Sequence, residues 1–290
     1  MSFLSYFITG ISLGGIYALI ALGYTMVYGI AKMLNFAHGD VIMVGGYVAF
    51  TAMSTMNYPI WVSVCMSILA CIILGVLIEK IAYKPLRDAS PLAILITAIG
   101  VSYFLQNAAL LIFGSSARSF KSVVPKMTIN SPVNITGETI VTIAVTIIIA
   151  IALTLFVDKT KSGRAMKAVS EDRGAAQLMG INVNRTISLT FAIGSGLAAV
   201  ASVLLCSTYP QISPYTGAMP GIKAFTAAVF GGIGSIPGAM IGGILLGVIE
   251  SLSKAYISSQ LSDAIVFAVL IVVLLVKPTG ILGKKINEKV

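Results

Sequence analysis

With 290 residues, 57% of them hydrophobic and 10% charged, and a mean hydropathy of +0.98, the chain carries more apolar surface than a soluble core of this size can bury. That excludes a soluble globular domain and implies an integral membrane protein. A net charge of +9 would suit nucleic acid in a soluble protein, but the nineteen Lys and Arg gather in a few loops, as the positive-inside rule expects, so no nucleic-acid partner is needed.

The apolar runs are long and rarely alternate, so helices rather than a barrel satisfy the backbone in lipid. The fold class is all-α: a polytopic membrane protein of about 8–9 transmembrane helices in one domain, 1–290. Residues 3–30 form the first span, without a basic leader or a cleavage signature, and read as retained. Its Gly10-x-x-x-Gly14 spacing permits close helix contact. A polar turn at 32–40 precedes an apolar run at 41–53, and spans follow at 60–78 and 92–113. Residues 115–137 read as a turn-rich exposed loop, and 139–157 and 187–206 as spans on either side of a basic loop. After a connector at 209–219 come short apolar pieces at 223–230 and 239–249, broken by Gly231, Gly232, Gly234 and Gly238, then 264–276 and a basic tail. Repeated small-xxx-small spacings (Gly234, Gly238, Gly242; Gly243, Gly247) suit backbone-to-backbone packing, and short broken segments are how transporters expose backbone to a pathway. Nine crossings put fourteen of the nineteen basic residues on one side, which predicts a cytosolic C-terminus and a non-cytosolic N-terminus; a re-entrant pair in the last third would lower the crossing number.

The loop at 158–185 is the longest polar interruption and holds six basic residues. Ser170 as N-cap, Glu171 and Asp172 in the first turn and Gly180 as the stop predict a helix over 171–179, too short to cross a bilayer. Met166, Val169, Ala176 and Met179 fall in register as a small apolar face that wants a protein partner. Two readings are open: a simple cytosolic connector, or a docking helix through which a soluble motor acts on the membrane domain.

No Gly-x-x-x-x-Gly-Lys-Ser/Thr loop occurs, so the chain does not bind ATP in that way, and no cofactor is expected. Intramembrane ionisable residues are few: His38, Asp40, Glu250 and Asp263, which argues against an ion relay. His38 with Asn35 and Asp40 offers too few ligands for a zinc site, so a structural turn or a gating role is expected there and no metal or catalytic site. Glu250 and Lys254, four apart, read as a helical ion pair. Cys65, Cys71 and Cys206 read as small buried hydrophobes.

Several stretches together resemble the permease of bacterial branched-chain amino acid ABC transporters, the type served by a periplasmic Leu/Ile/Val-binding protein. They are residues 17–29, Asn35-Phe-Ala-His-Gly39, 164–172 with 178–182, the glycine-rich run 223–243, and 278–283. The resemblance covers the chain end to end. It implies an ABC-importer permease fold in a bacterial inner membrane. It also implies a second homologous permease as a heterodimer partner, two cytosolic ATPase subunits that bind the ATP, and a periplasmic amino-acid-binding protein that delivers substrate. The importer docking pattern is present in degenerate form as Glu171, Ala175, Ala176 and Gly180, which selects the docking reading for the loop at about 158–186. ATPase-docking residues on that basis are Ser170, Glu171, Asp172, Ala175, Ala176, Met179, Gly180 and Ile181. Pathway or gating candidates are Asn35, His38, Gly39, Phe225, Gly231, Gly232, Gly234 and Gly238, the last five within a translocation region at about 221–250. Rival readings are a related permease for urea, amides or simple sugars, and an ATP-independent carrier or channel.

Overall fold

The computed structural model describes residues 3–87, 89–124, 128–130 and 134–283. Eleven α-helices occur among them: α1 (Phe3–Ala31), α2 (His38–Phe50), α3 (Ile60–Ile78), α4 (Pro91–Phe113), α5 (Gly137–Lys159), α6 (Lys161–Glu171), α7 (Arg173–Leu178), α8 (Val183–Thr208), α9 (Ala218–Gly231), α10 (Ile236–Tyr256) and α11 (Ser262–Val276). Their starts follow from capping chemistry. Ser90, Thr160, Asn182 and Ser235 each accept a hydrogen bond from the backbone N–H three residues on, and Pro91 and Pro237 sit in first turns, where a missing N–H costs nothing. The turn expected at 32–40 ends earlier than its polar residues suggest, because His38, Gly39 and Asp40 already belong to α2 and are buried. A π-helical turn, Thr51–Thr55, extends α2, and a second one, Glu79–Tyr83, extends α3.

Loop-to-loop contacts sort the connections onto two faces. On one face β1 (Arg118–Ser119) pairs antiparallel with β4 (Gln211–Ile212), the Phe120 N–H donates to the Pro210 carbonyl at 3.1 Å, and Tyr256 lies edge-on to Tyr6 at 5.9 Å. A small hairpin of β2 (Thr128–Asn130) and β3 (Asn134–Thr136) leads into α5 on that side. On the other face the Tyr83 hydroxyl donates to Asn35, Arg87 bonds Asn184, Arg173 bonds the Ala31 carbonyl, and the N–H groups of Ile281 and Leu282 donate to the carbonyls of Phe230 and Gly231. The chain therefore passes between the faces nine times among the described residues. Six helices are long and apolar enough to cross a bilayer by themselves, while α2, α9 and α11 are shorter. The last third is a helical hairpin, α9 and α10, joined by residues 232–235, rather than a re-entrant pair.

Two kinds of helix make the bundle. α1 and α8 are buried nearly all round from residues 12 to 27 and along most of 186–207, and α9 and α10 pack against them. α3, α4, α5 and α11 instead turn Ile73, Phe104, Leu111, Ile148 and Leu275 outward, as lipid-facing helices do. The seam of α1 with α10 is closed by glycine. A Cβ on Gly10 would lie 2.8 Å from the Val248 Cα, one on Gly14 2.6 Å from the Ile244 Cα, and one on Gly243 2.5 Å from the Ala18 Cα. Such approaches forbid any side chain there, and the close fit supplies the van der Waals attraction that holds helices together in lipid. Cys71 and Cys206 are buried as expected, whereas Cys65 is exposed on the outward face of α3.

Candidate functional site

The polar loop folds as two helices rather than the single helix expected over 171–179. The earlier one starts at Thr160, whose Oγ1 accepts from the Gly163 N–H at 3.0 Å, and it runs to Glu171. Ser170 is not an N-cap; it lies inside α6 and donates back to the Lys167 carbonyl at 2.7 Å. Asp172 takes the capping role, since its backbone is extended (φ −152°, ψ 116°) and its Oδ1 accepts from the Ala175 N–H at 2.9 Å. Ser170 and Asp172 are comparable capping residues, and Asp172 takes the position because its backbone is the one that leaves the helical region, its charge also suiting the N-terminus of α7. The stop at Gly180 is present: φ is +80°, and the Ile181 N–H returns to the Ala176 carbonyl at 3.0 Å.

The apolar face divides in a way periodicity does not reveal. Met166, Val169 and Ala176 are buried within this chain's own core, and Ile181 packs half-buried against it, so these residues do not await a partner. Met179 is 83% exposed and Leu178 90% exposed, and Glu171, Ala175 and Gly180 are exposed around them. The hairpin thus presents an apolar tip beyond a buried root. Arg173 ties the root to the rest, its guanidinium donating to the Ala31 carbonyl at the C-terminus of α1, where a cation also meets the negative end of the helix dipole. Beside the hairpin, Lys161, Asn182, Arg185 and Ser188 line a groove of about 590 Å³.

The expected pathway residues form two groups. Asn35, His38 and Phe225 come together around Tyr24. The His38 ring stands edge-on to Tyr24 with centroids 4.7 Å apart, Phe225 meets Tyr24 at 5.7 Å and Phe36 at 5.4 Å, and Asn35 Oδ1 accepts from the Tyr83 hydroxyl at 3.0 Å. His38 fits because Gly23 leaves its space open: a Cβ at Gly23 would strike the imidazole. A small pocket bounded by Tyr24, Tyr28, Asn35, Phe225, Ala228 and Ile233 adjoins this cluster. Gly39 lets the start of α2 cross α9 at Gly217 and Gly221. Gly231, Gly232, Gly234 and Gly238 make up the other group, and they pack backbone on backbone. Gly231 faces the Gly238 carbonyl, Gly232 (φ +106°) faces Gly283, and Gly234 (φ +92°) faces Gly29. The 278–283 stretch acts as a cap on α9, satisfying its last carbonyls.

Three functional candidates lie outside the sequence expectation. Leu178 and Arg173 are set by the break at Asp172, which the spacing did not reveal. The other is Lys223: its side chain is 7% exposed, and its ammonium reaches Glu250 at 2.8 Å and Asp263 at 2.6 Å. Glu250 also takes the expected Lys254 at 2.6 Å and accepts from the Tyr17 hydroxyl at 2.8 Å. A lone lysine opening the apolar run at 223–230 is the signal that could have located this cluster.

Residues 6–274 match the family described as branched-chain amino acid transport system / permease component. The chain is 48% identical to the high-affinity branched-chain amino acid transport system permease protein LivH of Escherichia coli K12, over 99% of this chain and 98% of that protein. It is 45% identical, at the same coverage, to the corresponding permease BraD of Pseudomonas aeruginosa. It is 32% identical, over 91% of this chain and 88% of the other, to a probable branched-chain amino acid transport permease of Methanocaldococcus jannaschii. With its nine passes and its glycine-closed helix seams, the chain belongs to the branched-chain amino acid transport permease family.

Proposed function

We propose that this chain is the membrane-spanning subunit of an ATP-driven importer for leucine, isoleucine and valine, paired with a second permease, worked by two cytosolic ATPases and supplied by an external binding protein. The observation that carries the docking assignment is the α6–α7 hairpin, whose tip, Leu178 and Met179, is apolar and exposed while its root is built into the core. An exposed apolar tip rimmed by polar residues is a protein interface in form. Closure of the ATPases on ATP moves the hairpin, and Arg173 and the buried Met166 and Val169 pass that movement to the end of α1. Because α1 meets α10 without intervening side chains, the two helices shift as one body, and the aromatic cluster around Tyr24, His38 and Phe225 rearranges at their edge. The face bearing the hairpin is cytosolic, as its basic loops favour in a bacterial inner membrane, and the C-terminus lies on the same side.

The test is to co-express the chain with its neighbouring permease and ATPase subunits, purify through a tag on this chain, and reconstitute in liposomes with the binding protein. Two ATPase subunits and one second permease are expected to co-purify, and leucine uptake is expected to require ATP inside the vesicle compartment that faces the hairpin. Leucine uptake by this chain alone, driven by a gradient and indifferent to ATP, would contradict the proposal.

A further inference from the structure

Four charged side chains on three helices, joined by a tyrosine from a fourth, meet between α1, α9, α10 and α11, with Lys223 and Glu250 buried and Lys254 and Asp263 partly exposed. Lys223 stands five residues into α9 and Glu250 six residues before the end of α10, which at helical rise places them about 8–9 Å below those helix ends. Both lie on the half of the molecule away from the hairpin. Burying charge is expensive, and a well-packed apolar substitute is often as stable, so packing alone gives no reason for this cluster. Ionisable residues within a membrane domain are a functional-site hypothesis by default.

The wiring is asymmetric. Glu250 is 1% exposed and is fully engaged by Lys223, Lys254 and Tyr17. Asp263 is 43% exposed, and the one ion pair it makes among the described residues is with Lys223. It belongs to α11, a lightly embedded helix in which Ser262 and Val266 are the buried residues. Lys223 therefore has one fixed partner and one exchangeable partner. Met219, one turn before Lys223 on α9, offers exposed apolar surface beside it.

We propose that the Lys223–Asp263 pair is a docking point for the head group of a zwitterionic amino acid, which inserts between the two side chains. Its carboxylate takes the place of Asp263 on Lys223, and its ammonium takes the released Asp263 carboxylate. Lys223, the ligand's carboxylate, its ammonium and Asp263 then alternate in sign in a row outward from Glu250, so the charges are matched both before and after insertion. Glu250 and Tyr17 hold the inner end of the row while α11 moves outward to admit the ligand. The site reads only the two charges common to all α-amino acids, which leaves side-chain selection to the binding protein.

The inference rests on the amino-acid import reading, and the experiment separates the two. In the reconstituted complex, Lys223→Met with Asp263→Leu removes the pair without leaving a charge unmatched, since Glu250 retains Lys254. If the pair were a structural tie, this apolar replacement would assemble and import leucine normally. Docking predicts that it assembles and retains its ATPases but imports leucine about tenfold more slowly or worse, the scale of one lost charge-assisted contact. Should the double variant fail to assemble, Asp263→Asn decides, because that half-exposed position tolerates the change: docking predicts a similar loss with a raised KM for liganded binding protein, partly restored by Asp263→Glu. Wild-type rates in either variant that assembles would overturn the inference. Absence of ATP-dependent leucine uptake by the wild-type complex would instead overturn the import reading.

Discussion

Along α1 and α10, small residues at four-residue spacing meet so closely that no side chain fits, whereas in α6 and α7 the helical spacing joins residues that point to opposite destinations. Gly10, Gly14, Gly243 and Gly247 all lie in the seam, each against backbone of the facing helix. Met166, Val169 and Ala176 turn into the core, but Met179 of the same register faces solvent. The seam is an interface already filled, set by one element against another. The hairpin is an interface half filled, with its second partner outside the chain. Periodicity identifies a helix face in either case; it does not say whether this chain or another covers it.

The largest effect that would sharpen the contrast is in the seam. Gly14→Leu must push its side chain into the Ile244 backbone, so it is expected to cost at least about 3 kcal/mol, or to prevent folding altogether. Yield and melting temperature in detergent report it; a wild-type melting temperature would show that the helices separate readily and cannot transmit a shift as one body. Arg173→Gln, at the root of the hairpin, forfeits a charge-assisted hydrogen bond to the end of α1 worth about 1–2 kcal/mol. Its expected signature is a weakened link: ATPase binding within about twofold of normal, but less leucine imported per ATP hydrolysed. Smallest is Gly100→Ala in α4. Nothing lies within 4 Å of a Cβ there, so this glycine serves no close approach, and the change is expected to be neutral or to stabilise by about 0.5–1 kcal/mol. A large loss at Gly100 would mean that α4 has a partner close against it, and the outward face of that helix would join the hairpin tip as an unfilled interface.

Spans 60–78 and 92–113 were legible almost to the residue, because hydropathy and the Pro59 and Pro91 boundaries agree. The seam was legible as spacing, though which helix would meet which depends on the tertiary fold. The break at Asp172 was not legible, since Ser170 and Asp172 are both good caps and the choice turns on which backbone is extended. The start of α2 was missed because Asn35, His38 and Asp40 look like a polar turn; hydrogen bonds from Tyr83 to Asn35 and from Gln106 to Asp40 at 2.9 Å make the burial of those two tolerable, while His38 finds steric room at Gly23. The ion cluster was half legible: Lys254 lies one turn from Glu250, but Lys223, Asp263 and Tyr17 reach it from three other helices, a relation that no local pattern carries.

The central claim is that a separate ATPase grips the hairpin tip, and replacing that tip tests it directly. In the purified complex, Leu178→Ser with Met179→Ser removes the exposed apolar surface while leaving the buried root, Met166, Val169 and Ala176, untouched. The account predicts unchanged melting of the permease and ATPase retention reduced about tenfold or more, the scale of an interface anchor. Full ATPase retention and normal ATP-driven uptake in that variant would contradict it.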